Sequence, residues 1–545
     1  MSYIDSEKTF FGRQDTLGVL KRRVVDLKEG YRQNVALLGA QYVGKSTLLR
    51  NFITNLDDSD VIVIYLDLEN KDFDYFFHKF IGSLLYTYSK NLNLILFEDI
   101  NVLMENTKEY IPQTINVINK IQSDYAKDKF SECYLGLLML PEIFTNETGK
   151  YCIMILDEFQ YLEDFALPNV FQDLGNKIMT QKRCFYVLSS SYPSVAEKII
   201  SERLSLLFGN FETIQLDVFD NKTSQVFIEH SIDQRKIGLQ LSTFLTDFSG
   251  GHPLYLNLLC QELKNLSAIH NQNEIYMPLL SQAVENTIFD RWGVLSRHFE
   301  LITNELCGGK GNKLISTLLI ALVNEKNKLA ELVGALDIKR AQVSQRLNRL
   351  IEQGVLVKNG NHYYIKDKLL KYWIKFVYQK RIKDVELAPD KQRRQFKDEF
   401  NHLVEESKVS ARKDLPSRII ELLYCFDNEA FDLNGRKYRL PIFRSVETVN
   451  LKDETGRSLD MIEAKTDNMS WYIVMKKDVF LENDIGIIAE EVKRNKKKCE
   501  RCLIISLADI DENARLKALQ ERFWIWNEGE INTLLTLFDK PYISR

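Results

Sequence analysis

The chain has 545 residues, 45% of them hydrophobic and 27% charged, with a formal charge of −4. This is the balance of a folded chain of about three to four domains, each able to bury its own core, and the near-neutral total excludes a global attraction to nucleic acid or membrane, so any basic surface must be local. No apolar run approaches the ~18–20 residues of a membrane span, and the opening segment Met1 to Lys8 has neither a signal peptide's apolar core nor a transit peptide's arginine bias; a cytoplasmic protein with no membrane partner is expected.

The eight cysteines fit that compartment. Cys152, Cys184 and Cys260 sit in apolar runs and read as small core residues. Cys499 and Cys502 form one isolated CxxC, with no second ligand pair spaced to complete a zinc site.

In chain order, Phe10-Phe11-Gly12-Arg13 precedes an amphipathic helix with Leu17, Leu20, Val24 and Leu27 on one stripe. Residues 34–38 then read as a buried strand, which runs into Gly39-Ala40-Gln41-Tyr42-Val43-Gly44-Lys45-Ser46-Thr47. This is GxxxxGK[ST], followed by a helix in the order a phosphate-binding loop demands. The glycines let backbone N–H groups curl round an anion, Lys45 reaches the β- and γ-phosphates, and the Ser46 hydroxyl ligates Mg2+. The cofactors implied are ATP and Mg2+.

Residues 61–67 form a second apolar strand, and a helical stretch runs from about Phe73 to Phe144. Residues 151–158 are again apolar and end in Asp157-Glu158. Carboxylates at the C-terminal edge of a strand suit a division of labour, with Asp157 holding the Mg2+ shell and Glu158 polarising the attacking water. A further strand, Cys184 to Leu188, ends in Ser189-Ser190-Ser191; Ser189 and Ser190 are candidate γ-phosphate sensors, a plain turn being the competing reading. Arg203 reads either as an arginine finger or as a solvated side chain.

These motifs resemble the archaeal-type P-loop ATPases, a branch of the STAND and AAA-like NTPases. The matching residues are Phe11-Gly12-Arg13, Gly39 to Thr47, Leu156 to Leu162, Leu188 to Ser191, Ile214-Gln215-Leu216 with Phe219, and Ser249-Gly250-Gly251-His252-Pro253-Leu254-Tyr255. The resemblance implies that Gly12 and Arg13 lie near adenine and ribose and that Pro253 lets a helical lid sense the nucleotide. Where such proteins often carry Gly-Arg, this chain has Gly209-Asn210, which removes an arginine that could serve the nucleotide or a neighbouring subunit.

Residues 221–305 show helical spacing without a strand, as a lid should. Two short helices, a turn at Asp337-Ile338, and a third helix from Lys339 to Gln353 capped by Gly354 precede a hairpin over 355–365. Three helices and a wing make a winged helix-turn-helix over 306–380. Its third helix turns Val343, Leu347, Leu350 and Ile351 inward and Lys339, Arg340, Gln345, Arg346 and Arg349 outward, a face suited to double-stranded DNA, although winged helices also dock proteins.

After a charged linker near Pro389, residues 385–545 read as a helix, three β segments, a helix from Ile485 to Lys498, a strand and a closing Phe523 to Trp526. This order resembles a restriction-endonuclease-like fold. Asp460 and Lys476 take two of its site positions, but the middle acid is Val474, so nuclease activity is expected to be lost. Lys493 to Arg501 makes a basic helix end, either solvated or gripping a phosphate backbone.

The fold expected is therefore α/β: a P-loop parallel sheet over 1–220, a helical lid, a winged helix and a small α/β domain. The function expected is a slowly hydrolysing, Mg-ATP-dependent switch that engages DNA or a protein partner, with room for a homo-oligomer. The alternatives are a DNA-binding regulator with nucleotide as a structural ligand and an ATP-gated nuclease effector.

Overall fold

Alternate residues of five strands belong to opposite apolar layers. In the computed structural model, β1 (Asn34–Leu38), β2 (Val61–Asp67), β3 (Tyr151–Asp157), β4 (Cys184–Ser190) and β5 (Phe211–Gln215) form an all-parallel sheet in the order β2-β3-β4-β1-β5. Ala36, Ile62, Ile64, Met154 and Tyr186 join one layer; Val35, Leu37, Val63, Ile155 and Val187 join the other. Burial on both faces is why β1 to β4 read as nearly continuous apolar runs, whereas the edge strand β5 is only partly buried.

The structure describes residues 10–204, 211–233, 235–308, 313–383, 389–452, 458–494, 499–508 and 510–543. Gly209-Asn210 and Lys496 to Lys498, singled out in the sequence, lie outside these. The chain divides into two units, one running to Val218 with His252–Leu254, the other comprising Phe219–Gly251 and the remainder from Tyr255.

In the first unit, α1 (Gln14–Lys28) buries Leu17, Leu20, Val24 and Leu27 on one sheet face, beside Leu48 and Phe52 of α2 (Lys45–Thr54). The other face is covered by α3 (Phe73–Asn91), α4 (Ile100–Thr107), α5 (Pro112–Tyr125), α6 (Phe130–Thr148) and α7 (Val170–Thr180), through residues such as Phe76, Phe80, Ile118, Phe144 and Leu174. The single helical stretch expected over 73–144 is thus four helices. Asp72 and Asp99 cap two of them by accepting hydrogen bonds from Tyr75 N and Asn101 N, and Pro112 opens a third. A short α8 (Pro193–Lys198) follows β4.

The second unit begins with α9 (Asn221–Ser231), α10 (Leu239–Ser249), α11 (Pro253–Ile269), α12 (Met277–Val284) and α13 (Val294–Cys307). Where only helix was expected, β6 (Lys236–Ile237) and β7 (Glu274–Ile275) pair in parallel; two-residue strands leave no alternation to read. Next come α14 (Lys313–Val323), α15 (Leu329–Leu336), α16 (Arg340–Glu352) and the antiparallel hairpin of β8 (Leu356–Asn359) and β9 (His362–Ile365).

Helices α17 (Lys368–Trp373), α18 (Gln379–Lys383), α19 (Pro389–Arg412) and α20 (Leu415–Leu423) lead to an unexpected hairpin, β10 (Ala430–Leu433) with β11 (Arg436–Arg439). Its turn is Asn434-Gly435, a strong hairpin signal. The last sheet holds β12 (Ser445–Lys452), β13 (Ser458–Lys465), β14 (Ser470–Lys476), β15 (Cys499–Ser506) and β16 (Trp524–Asn527) in that order. Its first three strands are antiparallel and its last three parallel, with α21 (Glu482–Arg494) and α22 (Glu512–Gln520) as the parallel crossovers and α23 (Glu528–Leu537) at the end. No helix among the described residues is long and apolar enough to cross a membrane.

Candidate functional site

Open parallel sheets bind ligands outside the carboxyl ends of their strands, where the strand order reverses. Here β1 lies between β4 and β5, and the loop 39–44 leaves its carboxyl end. Gly39 must be glycine, because a Cβ there would lie 2.3 Å from the Leu216 carbonyl oxygen as the chain leaves β5. Gly44, at φ +101°, makes the left-handed turn into α2.

Lys45, the first residue of α2, is 4% exposed. Its ammonium donates to the carbonyls of Gly39 and Ala40, both at 2.9 Å, and to Ser191 Oγ at 2.8 Å. Burial lowers its pKa from the ordinary lysine value, against the opposing pull of Glu158 and Asp157. Glu158 Oε1 lies 3.8 Å away.

The two carboxylates at the end of β3 have separate partners. Asp157 Oδ2 accepts from the Ser46 hydroxyl and from the Tyr65 hydroxyl, each at 2.8 Å. Its Oδ1 is buried and accepts no hydrogen bond. Glu158, at φ +56°, takes a left-handed conformation rare for its type. Its carboxylate accepts from Ser191 N and Gln160 Nε2, both at 2.8 Å, and from the Ser191 hydroxyl. Burial and the charges of Glu158, Asp67 and Asp157 raise the pKa of Glu69 beside them, and burial with Asp157 raises that of Tyr65.

Thus Lys45, Ser46, Asp157 and Glu158 converge at one sheet edge. Of the three serines at the end of β4 and just past it, it is Ser191 that joins Lys45 and Glu158; Ser190 Oγ accepts from Tyr192 N at 3.1 Å, and Ser189 Oγ is buried without a hydrogen bond. Tyr65 was not singled out by the sequence. Its one signal is a polar-tipped ring near the end of the otherwise aliphatic run 61–66.

Gly12 and Arg13 are both left-handed, and Arg13 donates to the Asp217 carbonyl, which sets them beside the strand exit that crosses Gly39. His252 Nε2 lies 3.1 Å from the Gln41 carbonyl; a carbonyl only accepts, so this nitrogen carries the proton. Pro253, next to it, opens α11. Arg203 pairs with Glu163 at 2.6 Å and lies 4.4 Å over the Phe171 ring. Tyr42 is exposed, and Val43 packs into the core.

The donor set fits a divalent cation on a triphosphate. An unpartnered Asp157 oxygen beside a serine hydroxyl offers the hard oxygen ligands that Mg2+ prefers.

Elsewhere, α16 buries Val343, Leu347 and Leu350 and leaves Arg340, Gln345 and Arg349 exposed, as is Lys339 just before it, with Arg346 half-buried. In the last sheet the expected pair is not brought together. Asp460 stands opposite Met475, on the face holding Ile462 and Ile473, whereas Lys476 follows Tyr472 and Val474 on the other face and donates to Asp484 at 2.8 Å. Strand alternation thus separates Asp460 from Lys476, and Val474, in the middle acid's place, is buried.

Residues 10–259 match a family described as an ATPase domain predominantly from Archaea. An uncharacterised ATP-binding protein of Methanocaldococcus jannaschii is 28% identical over 237 residues, covering 40% of this chain and 62% of that protein. The chain therefore spans less than two thirds of that relative's length. Among solved structures, a Walker-type ATPase of Pyrococcus abyssi aligns over 67% of this chain and 96% of its own, with 16% identity and a TM-score of 0.49. The ORC2 protein of Aeropyrum pernix aligns over 68% and 95%, with 12% identity and a TM-score of 0.43.

Proposed function

We propose that this chain is an ATP-dependent switch whose archaeal-type P-loop ATPase domain binds Mg-ATP, hydrolyses it slowly, and biases how the second unit engages double-stranded DNA or a protein. One observation carries the reading: the Lys45 ammonium, the Ser46–Asp157 pair and the Glu158–Ser191 pair meet at the carboxyl edge of a parallel sheet. The loop 39–47 would cradle the phosphates, and Ser46 with Asp157 would hold Mg2+, which supplies charge neutralisation on the triphosphate. Glu158 is the base that orients and deprotonates the attacking water, and Ser191 positions it.

In the second unit, residues 221–305 serve as the lid and α14–α16 with β8–β9 as a winged helix. The exposed cations of α16 support its role as a nucleic-acid face. The strand order of the last sheet supports a restriction-endonuclease-like module, and the separation of Asp460 from Lys476 supports its being inactive as a nuclease.

The test is a pair of variants. Lys45→Ala should abolish nucleotide binding, whereas Glu158→Gln should bind ATP and lose turnover by about 10²–10⁴-fold. Parental hydrolysis by Glu158→Gln removes the assignment of the base. Calorimetry that detects no adenine nucleotide uptake by the unaltered chain removes the whole reading.

A further inference from the structure

The hairpin β8–β9 is built into the second unit. Asn359, at its turn, is buried, and its carboxamide imitates a neighbouring strand: Nδ2 donates to the Asp432 carbonyl at 2.8 Å, and Oδ1 accepts from Asp432 N at 2.6 Å. One side chain thus caps the edge of β10. Gly360, at φ +58°, admits no side chain, since a Cβ would lie 1.8 Å from the Ala430 carbonyl oxygen.

The strand returning from the turn is fastened as well, at its first residue. His362 is buried, with Nε2 3.5 Å from Glu429 and its ring edge-on to Phe538. Lys328, just before α15, pairs with both Asp427 and Glu429. His362, Asp427 and Glu429 lie close enough to hold a metal ion, but the Lys328 ammonium already supplies the cation this acidic pair would take. Tyr364 packs on the core of the last sheet. By contrast, Lys339, which caps α16, and Arg340, Gln345 and Arg349 within it stay exposed.

Groups already bonded within the chain are not free to contact a duplex, and here the tip carries a neighbouring segment's main chain. We infer that the wing is an internal docking element captured by residues 427–432, so that a duplex meets α16 without it. The inference rests on the reading of α16 as a nucleic-acid face. It makes the interaction surface a helix alone, read through phosphate contacts at the level of Lys339, Arg340 and Arg349.

The test uses the full chain and a labelled duplex of random sequence, with affinity measured by fluorescence anisotropy across salt. Lys358 is the exposed cation of the hairpin. Lys358→Ala should leave the salt slope unchanged, whereas Arg340→Ala with Arg349→Ala should lower it by about two. Asn359→Ala should speed deuterium uptake at Asp432 and, by freeing the wing, make binding sensitive to Lys358→Ala. A slope lowered by about one by Lys358→Ala in the otherwise unaltered chain overturns the inference, because the wing then touches DNA while docked. Unchanged exchange at Asp432 in Asn359→Ala overturns the clasp. No duplex binding by any form overturns the α16 reading itself, while exchange at Asp432 still reports the clasp separately.

Discussion

Ser191 and Lys45 meet through a 2.8 Å hydrogen bond, and the same serine hydroxyl donates to Glu158. A single side chain therefore links the group that would hold the γ-phosphate to the group that would activate water. Ser191→Ala keeps the main-chain donor to Glu158 but removes the hydroxyl, so the carboxylate loses one of three anchors. Turnover should fall by about tenfold to a hundredfold with nucleotide affinity little changed, because the lost interaction matters in the transition state. Steady-state ATPase kinetics beside nucleotide titration decide it. Unchanged turnover assigns Ser191 to loop structure alone.

Tyr65 acts one step further out, holding the Asp157 oxygen that also accepts from Ser46. Tyr65→Phe preserves the ring in its half-buried place and deletes the donor. The Mg2+ concentration giving half-maximal ATPase activity should rise by about tenfold, as for other groups that orient a metal ligand, with turnover at saturating Mg2+ retained. A Mg2+ titration of the variant checks this, and an unshifted midpoint makes Tyr65 a packing residue.

The sheet and the loop were legible because their signals are local. Residues 34–38 and 151–156 are apolar runs that end at Gly39 and Asp157, and Leu17, Leu20, Val24 and Leu27 recur at helical spacing. Tyr65 and Ser191 were not legible as partners, since their roles follow from strand register: Asp67 stands opposite Asp157, and Leu37 opposite Ser189. Asp460 and Lys476 failed for a related reason. Each occupies a familiar motif position, but only the pairing of Asp460 with Met475 reveals that they lie on opposite faces. The β10–β11 hairpin could have been found from Asn434-Gly435, whereas the clasp of Asn359 on Asp432 joins residues 73 positions apart and leaves no periodic trace.

His362, which packs the docked wing, should make stability depend on pH. Burial first, then the Lys328 charge, lowers its pKa below the ordinary 6.5, against Glu429, Asp427 and Glu331, which raise it. The folded state therefore binds fewer protons than the unfolded one. Its stabilising contribution is complete above about 6.5 and is lost as pH falls through the lowered pKa. His298, also lowered by burial, acts in the same direction. Urea midpoints should drop from pH 7 to pH 5, and His362→Gln should flatten part of that drop. An identical pH profile in His362→Gln shows that the imidazole is not the titrating group.

All five tryptophans, Trp292, Trp373, Trp471, Trp524 and Trp526, lie in the second unit, so their fluorescence reports its unfolding alone. There, Lys368 of α17 pairs with Asp247 of α10, and its ammonium lies 3.9 Å from the Tyr542 ring centroid. Tyr542 N donates to Asp247 at 3.2 Å, and Arg418 donates to the carbonyls of Pro541 and Tyr542. The segment 541–543 thereby joins the largely buried Lys368–Asp247 ion pair of α17 and α10 to Arg418 of α20. Lys368→Met strands a buried carboxylate and should cost about 3–5 kcal/mol, because desolvation of Asp247 is no longer offset. Adding Asp247→Leu removes the stranded charge and should restore most of that loss, since an apolar pair of similar volume needs no compensation. Urea titration followed by tryptophan emission separates the outcomes: a double variant as unstable as Lys368→Met shows that the stability lay in the hydrogen bond to Tyr542, not in the balance of charge.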